Sequence, residues 1–218
     1  MSFSVAIDGP AGAGKGTIAK ILSERFYLKH LDTGLLYREA ARLVVEEGVD
    51  VLDVVQLEKI AEKVNISTIA EEKLRNEKVA SVASQMAVVP SLRRVLTQKM
   101  RDFATKIEKK YQGAVLDGRD VGTVVLPDAD IKLYITADEQ VRALRRTKEL
   151  NADTLEKILE EIKQRDQRDK NREVAPMHAA DDAIILDTTF LSIDEACEKA
   201  AKIVTQGMSE VLVKTKIS

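Results

Sequence analysis

The sequence predicts an α/β protein, a parallel sheet flanked by helices, on three observations. Short apolar runs end in Asp or Thr, stretches of 3.6-residue period separate them, and a glycine-rich loop sits between the first run and the first helix. Phe3, Val5 and Ile7 alternate with Ser4, Ala6 and Asp8 and stop at Gly9-Pro10, which reads as a buried strand entering a loop. From Lys15 onward, Ile18, Ile21, Leu22 and Phe26 share one helical face. Runs at Ala114 to Leu116, Ile131 to Ile135 and Ala183 to Leu186 read as further buried parallel strands. Helical spacing recurs in Leu57, Ile60, Ala61 and Val64, in Val79, Val82, Ala83 and Met86, and from Leu92 through Leu96 and Met100 to Ile107. Pro90 suits the first turn of the last of these, where its missing N–H is not needed. No repeat, linker or low-complexity tract divides the chain, so residues 1–218 are expected to form one domain.

Composition removes several classes of function. The 218 residues carry 34 Lys+Arg against 36 Asp+Glu, a formal net charge of −2, which argues against a nucleic-acid or membrane-surface binder. At 44% hydrophobic and 32% charged the chain is not intrinsically disordered, and four Phe, four Tyr and no Trp leave little for stacking nucleic-acid bases. Cys197 cannot form an internal disulfide, and two histidines provide no zinc spacing, so a reducing cytoplasm is expected. No basic leader precedes the run ending at Asp8 and no apolar stretch reaches the ~18 residues of a membrane span, so no targeting or anchoring is expected.

The segment Gly9-Pro10-Ala11-Gly12-Ala13-Gly14-Lys15-Gly16-Thr17 places small residues where backbone N–H groups must curl around phosphate oxygens, just before a helix N-terminus. Lys15 supplies a mobile positive charge for the β- and γ-phosphates, and Thr17 is placed to hydrogen-bond a phosphate. The general motif has Ser or Thr directly after the lysine to hold Mg²⁺; here that place is Gly16, so no direct metal ligand is expected from it.

Such a loop fits an ATPase, a GTPase or a kinase. Three further segments bear on the choice. Leu31-Asp32-Thr33-Gly34-Leu35-Leu36-Tyr37-Arg38 sets a carboxylate and a hydroxyl before a glycine, with an arginine on the helix beginning there. Asp117-Gly118-Arg119-Asp120-Val121-Gly122-Thr123 follows a strand directly, where open α/β sheets bind ligands. The third is a helix whose apolar stripe of Leu155, Ile158, Leu159 and Ile162 continues as Arg165, Asp169 and Arg172. Arginines aimed inward need an anionic partner.

Together GPAGAGKGT, LDTGLLYR, ASQMAVVPSLRRVL, LDGRDVGTVVLPDADIKLYIT and RDQRDKNREVAPMHAADDAIILDTT resemble bacterial cytidylate kinases over nearly the whole chain. The resemblance implies a P-loop NTPase fold, an adenylate-kinase-like parallel sheet flanked by helices, with a monophosphate-binding insert at about 39–90 and a lid at about 151–176. It implies ATP held by Gly9 to Thr17, and CMP or dCMP surrounded by Thr33, Arg38, Ser84, Arg93, Asp120, Arg165, Asp169 and Arg172. Relatives often have Ser where Thr33 stands, and the insert looks shorter than in many, so its small sheet is expected to be reduced. A monomer is the family's precedent.

These residues suit cytosine, whose N4 amino donor lies beside acceptors at N3 and O2, a set complementary to Asp120, Arg93 and Ser84. Uracil inverts that pattern, and polar mismatches of this kind discriminate by roughly 10⁴ or more. The expected chemistry is alignment and charge neutralisation, with Lys15, Arg119, Arg145, Arg165 and Arg172 as catalytic cations, Mg²⁺ as cofactor, and Asp32 and Asp120 reaching it through water. A different nucleoside monophosphate kinase would share the loop but differ at Arg93 and Asp120, and a nucleotide switch would not need two arginine-rich segments. The adjacent Arg145-Arg146 is equally consistent with a solvated helix face. His30 and His178 read as local packing or solvent contacts, and Cys197 as a small apolar residue on a helical stripe.

Overall fold

The computed structural model describes residues 3–74, 77–150 and 154–217. Strand β1 (Phe3–Asp8) runs into the glycine-rich loop and helix α1 (Lys15–Arg25). Then follow β2 (Leu28–Asp32), α2 (Thr33–Glu47), α3 (Val54–Lys63), α4 (Glu77–Met86), α5 (Pro90–Thr105) and β3 (Gly113–Asp117). A π-turn at Val121–Val125 leads to β4 (Ile131–Thr136), α6 (Glu139–Leu150), α7 (Leu155–Asn171), β5 (Ile184–Asp187) and α8 (Ile193–Ile217). The strands form one parallel sheet in the order β2-β3-β1-β4-β5. From β1 the chain winds to β2 and β3 on one side and then crosses to β4 and β5 on the other. The crevice that this reversal opens lies at the C-terminal end of β1, where the glycine-rich loop begins.

Alternation along the strands sorts the core into two layers. Ala6, Leu31, Ala114 and Leu116 pack with residues of α2, α3, α4 and α5, whereas Val5, Ile7, Val115, Leu133 and Ile135 pack with residues of α1 and α8. Each Val, Leu or Ile side chain among them contributes about 1.5–3 kcal/mol when fully buried. A third cluster, Ala143, Ile158 and Ile162 with Leu159 against it, joins α6 to α7 and is separate from both layers.

Three features differ from the sequence expectation. Strand β2 is unforeseen, because Leu28-Lys29-His30-Leu31-Asp32 has no apolar run; it is an edge strand, and its lysine and histidine stay partly exposed. β5 forms as expected but is the other edge, and Ile184 and Ile185 are exposed rather than buried. Finally, the segment 39–90 is helical with two short 3-10 turns, Ile66–Thr68 and Glu71–Leu74, and no strand occurs among its described residues. Of the segment expected as a lid, residues 151–153 lie outside the described residues, and α7 makes up most of the rest.

Gly113 sits where β1 and β3 approach closely, and a Cβ there would lie 1.8 Å from the Phe3 carbonyl oxygen. Backbone cannot give way as a side-chain tip can. Gly113→Ala is therefore expected to lower the unfolding free energy by about 2 kcal/mol or more in urea titration; a loss under about 0.5 kcal/mol, the level of an ordinary surface change, would contradict the close approach.

Candidate active site

The phosphate loop is shaped by two constraints. Gly9 has φ 141° and a Cβ there would meet the Ile135 carbonyl oxygen at 1.9 Å, and Gly14 takes the left-handed region with φ 92° at the N-cap of α1. Three successive loop carbonyls each accept a cationic donor: Gly9 O from Arg119 Nη1 (3.0 Å), Pro10 O from Lys15 Nζ (2.8 Å) and Ala11 O from Arg142 Nη1 (3.0 Å). Burial, then the Arg119 charge, push the Lys15 ammonium down to about 7. A phosphate beside it would restore its proton affinity.

The strand ends supply carboxylates. Asp8, closing β1, accepts from Val121 N and Gly122 N at 2.7 Å each and so fixes the π-turn; burial pushes its carboxyl up to about 6 despite those two bonds. Arg101 holds the turn's other end by donating to Val124 O (2.8 Å) and Val125 O (2.9 Å). Asp32 and Asp117 close neighbouring strands in register. Asp32 caps α2 by accepting from Gly34 N (2.8 Å), and burial and the Asp117 charge raise its carboxyl above the usual range. Asp117 Oδ1 lies 2.8 Å from His30 Nε2, and Thr33 Oγ1 donates to Asp117 O (2.8 Å). Asp117 Oδ2 is 3.9 Å from where a Cβ on Gly16 would stand.

Arginines converge from three elements. Asp120, at the head of the π-turn, pairs with Arg93 Nη2 from α5 and with Arg172 Nη2 at 3.2 Å from the end of α7. Arg93 also donates to Ala87 O (3.0 Å), beyond the end of α4, and its guanidinium lies 5.7 Å from the centre of the Tyr37 ring. Burial pushes the Tyr37 hydroxyl up to about 12. Asp169 accepts from Arg119 Nε at 2.9 Å; burial works to raise its carboxyl, but the Arg119 and Arg165 charges hold it below the usual range. Arg165 makes no hydrogen bond or close ion pair among the described residues, and burial followed by the Arg119 charge brings it down to about 10 against the pull of the Asp169 charge. The charge of Arg38 acts on both Asp32 and Arg165.

Most of the residues singled out in the sequence therefore come together, with exceptions. Arg145 does not join the arginine group: it donates to Thr188 Oγ1 (3.0 Å) and Thr188 O (2.7 Å), which ties α6 to the turn after β5. Asp120 does not stand with Asp32 as a second acidic group for a metal, being engaged by Arg93 and Arg172; Asp117 is the carboxylate whose charge bears on Asp32. Ser84 is half-buried on α4. His178 makes a local contact to Ala179 O (2.9 Å) and no other among the described residues, and Cys197 is buried, whereas His30 does more than pack. Sequence reasoning passed over Asp8, Tyr37, Asp117, Arg142 and Asp166. For the first and third, the signal was an acidic residue closing an apolar strand. No group of three or more His, Cys, Asp or Glu able to hold a metal ion occurs among the described residues.

A parallel sheet carrying this loop and this array of cations is that of a P-loop kinase. A family model for cytidylate kinase matches residues 5–206. The cytidylate kinase of Sinorhizobium medicae is 42% identical over 217 residues, 97% of this chain and 100% of its own length. That of Cereibacter sphaeroides (strain KD131) is 45% identical over 204 residues, 92% and 94% of the two chains. The chain belongs to the cytidylate kinase family. The solved structure of a gluconokinase from Sinorhizobium meliloti shares the fold, with a TM-score of 0.54 at 10% identity over 98% of this chain and 97% of its own.

Because the Asp8 carboxyl is raised from 3.8 to about 6, the folded chain binds more protons there than the unfolded chain between those values. Its contribution to stability is complete below pH ~4 and is lost as pH rises through ~6. Asp8→Asn is therefore expected to gain stability relative to the parent from pH 4 to 7, by up to about 3 kcal/mol; a pH-independent difference would refute the shift.

Proposed function

We propose that this enzyme transfers the γ-phosphoryl group of ATP to CMP or dCMP, giving CDP or dCDP and ADP. One observation supports the acceptor more than any other: Asp120 is buried and held between Arg93 and Arg172. A carboxylate beside guanidinium groups is complementary to the donor-acceptor edge of neutral cytosine. Tyr37, next to Arg93, offers an aromatic surface for the base.

ATP binds along Gly9, Pro10, Ala11, Gly12, Ala13, Gly14, Lys15, Gly16 and Thr17, with loop amides and the α1 N-terminus on its phosphates. Thr33, Arg38, Ser84, Arg93, Asp120, Arg165, Asp169 and Arg172 surround the monophosphate nucleotide. Its phosphate is largely dianionic at neutral pH, since its second pKa is near ~6, and attacks without a general base. Lys15, Arg119, Arg165 and Arg172 neutralise the charge that develops on the migrating group. Arg145, spent on Thr188, supports the fold of α6 instead.

Asp32 and Asp117, in register at the ends of β2 and β3, suit a hydrated divalent cation, because burial and then the Asp117 charge raise the Asp32 carboxyl, a dication would offset that repulsion, and Gly16 adds no hydroxyl ligand. Mg²⁺ would be held there through water, and its role when bound is to screen the β- and γ-phosphate charge. The helices of residues 39–90 close over the monophosphate, and the segment of about 151–176, most of which is α7, forms the lid that excludes water. The separate apolar cluster shared by α6 and α7 supports that motion, since no large core has to be broken to permit it. With one buried cysteine, a monomer in a reducing cytoplasm completes the reading.

ADP formation with CMP, dCMP, UMP and AMP offered separately tests the acceptor. Turnover confined to the two cytosine nucleotides is expected; equal rates with all four would keep phosphoryl transfer and reject the base pocket. Arg172→Ala is expected to lower kcat on the order of 10³-fold, and a variant within a few-fold of the parent would remove Arg172 from the mechanism. Since Lys15 sits near 7, ATP binding at pH 8 should take up close to one proton. Calorimetry in buffers of different ionisation enthalpy measures it, and the uptake should vanish in Lys15→Met.

A further inference from the structure

Arg142 on α6 and Asp166 on α7 face each other at 2.6 Å, with side chains only 4% exposed each, the deepest ion pair among those of the arginines around the loop. Burial of that depth is costly unless every remaining donor and acceptor is satisfied. Here much of the satisfaction comes from the phosphate loop. Arg142 Nη1 donates to Ala11 O (3.0 Å) as well as to Asp166 Oδ2, its Nε donates to Ala137 O (2.9 Å), and Asp166 Oδ1 accepts from Ala11 N (3.4 Å). Both polar groups of one residue of the loop are thus taken by a single pair belonging to two helices outside it. At the next residue, Gly12, a Cβ would meet Arg142 O at 3.1 Å and Arg142 Cβ at 3.3 Å, so α6 itself abuts the loop.

Of the three cations on successive loop carbonyls, Lys15 and Arg119 face the phosphates in the reading above. Arg142 is instead committed to the hairpin, its Nη1 shared with Asp166 Oδ2 and its Nε taken by Ala137 O. We propose that Arg142 and Asp166 are positioning residues for ATP: through them the α6–α7 hairpin sets the orientation of the Ala11 peptide groups and hence of the loop amides that follow. This rests on the kinase reading for the identity of the nucleotide, and it adds a link between hairpin and loop on the ATP side. The parallel contact, Asp169 to Arg119 to Gly9 O, lies three residues further along α7 and faces the acceptor side. Asp166 and Asp169 thus bring the same helix to bear on both ends of the turn from Gly9 to Ala11.

The test uses the full chain with Asp166→Asn, Arg142→Lys and the double variant, each checked for folding by circular dichroism and Tm. Calorimetric Kd for ATP with Mg²⁺, measured without any acceptor, should rise about tenfold or more in each single variant, since a small misplacement of a binding frame carries a penalty of this size. The double variant should be no weaker than the weaker single one, because both changes break the same link. KM for CMP should stay within twofold of the parent. Asp166→Glu, which restores the charge, should recover part of the ATP affinity. An ATP Kd within twofold of the parent in folded Asp166→Asn and Arg142→Lys would overturn the proposal, as would parallel rises in ATP Kd and KM for CMP. If Asp166→Asn does not fold, Arg142→Lys, which keeps the charge against Asp166, decides the matter. A parent that binds ATP but does not phosphorylate CMP would reject the acceptor reading and leave the ATP measurements interpretable.

Discussion

The arrangement at the head of β1 depends on one electrostatic constraint. A loop that offers its amides to phosphate must turn its carbonyls elsewhere, and carbonyls packed together in a partly dry crevice repel one another unless donors meet them. Gly9, Pro10 and Ala11 resolve this with Arg119, Lys15 and Arg142 in turn. The consequence is a concentration of positive charge before any nucleotide arrives, which adds to burial in lowering the proton affinities of Lys15 and Arg165. The site is thereby held in a state that favours polyanions.

That concentration has to be balanced, and the balancing carboxylates determine how the helices attach. Asp166 and Asp169 on α7 and Asp120 at the π-turn each hold an arginine. The α6–α7 hairpin keeps its own small apolar cluster and reaches the rest of the molecule through these polar links, together with Arg145 on Thr188. Polar attachments of this kind can exchange one anion for another at little cost in buried apolar area, whereas a hairpin rooted in the main core could not move without opening it.

How much of this was legible in the sequence follows from what kind of physics each feature obeys. Buried central strands such as β1 and β3 announce themselves as apolar runs, and the glycine loop and the amphipathic helices are equally local signals. Edge strands are covered less completely, so β2 could carry Lys29 and His30 and lose its periodic signature, while the apolar Ile184 and Ile185 of β5 wrongly suggested burial. In the site, the same rule separates Asp169 from Asp166. The first continues a helical stripe by spacing, but the second faces Arg142, a partner 24 residues away whose position only the packing of α6 on α7 reveals. Arg145 shows the reverse error, since an arginine on a helix can be absorbed by backbone carbonyls that no sequence pattern advertises.

The register of the central strand also bears on how the chain acquires its shape during synthesis. Phe3 pairs with Gly113 and Val5 with Ile131, so β1 has no strand partner until the chain has been made as far as β3. At about 5–20 residues per second the first strand waits several seconds, exposing apolar side chains and unpaired peptide groups. Helices α2 to α5, rich in local contacts, are made in that interval and can begin to cluster early. A nascent chain stalled before β3 would present β1 to other strands, which makes Phe3–Asp8 a segment in need of shielding by a chaperone.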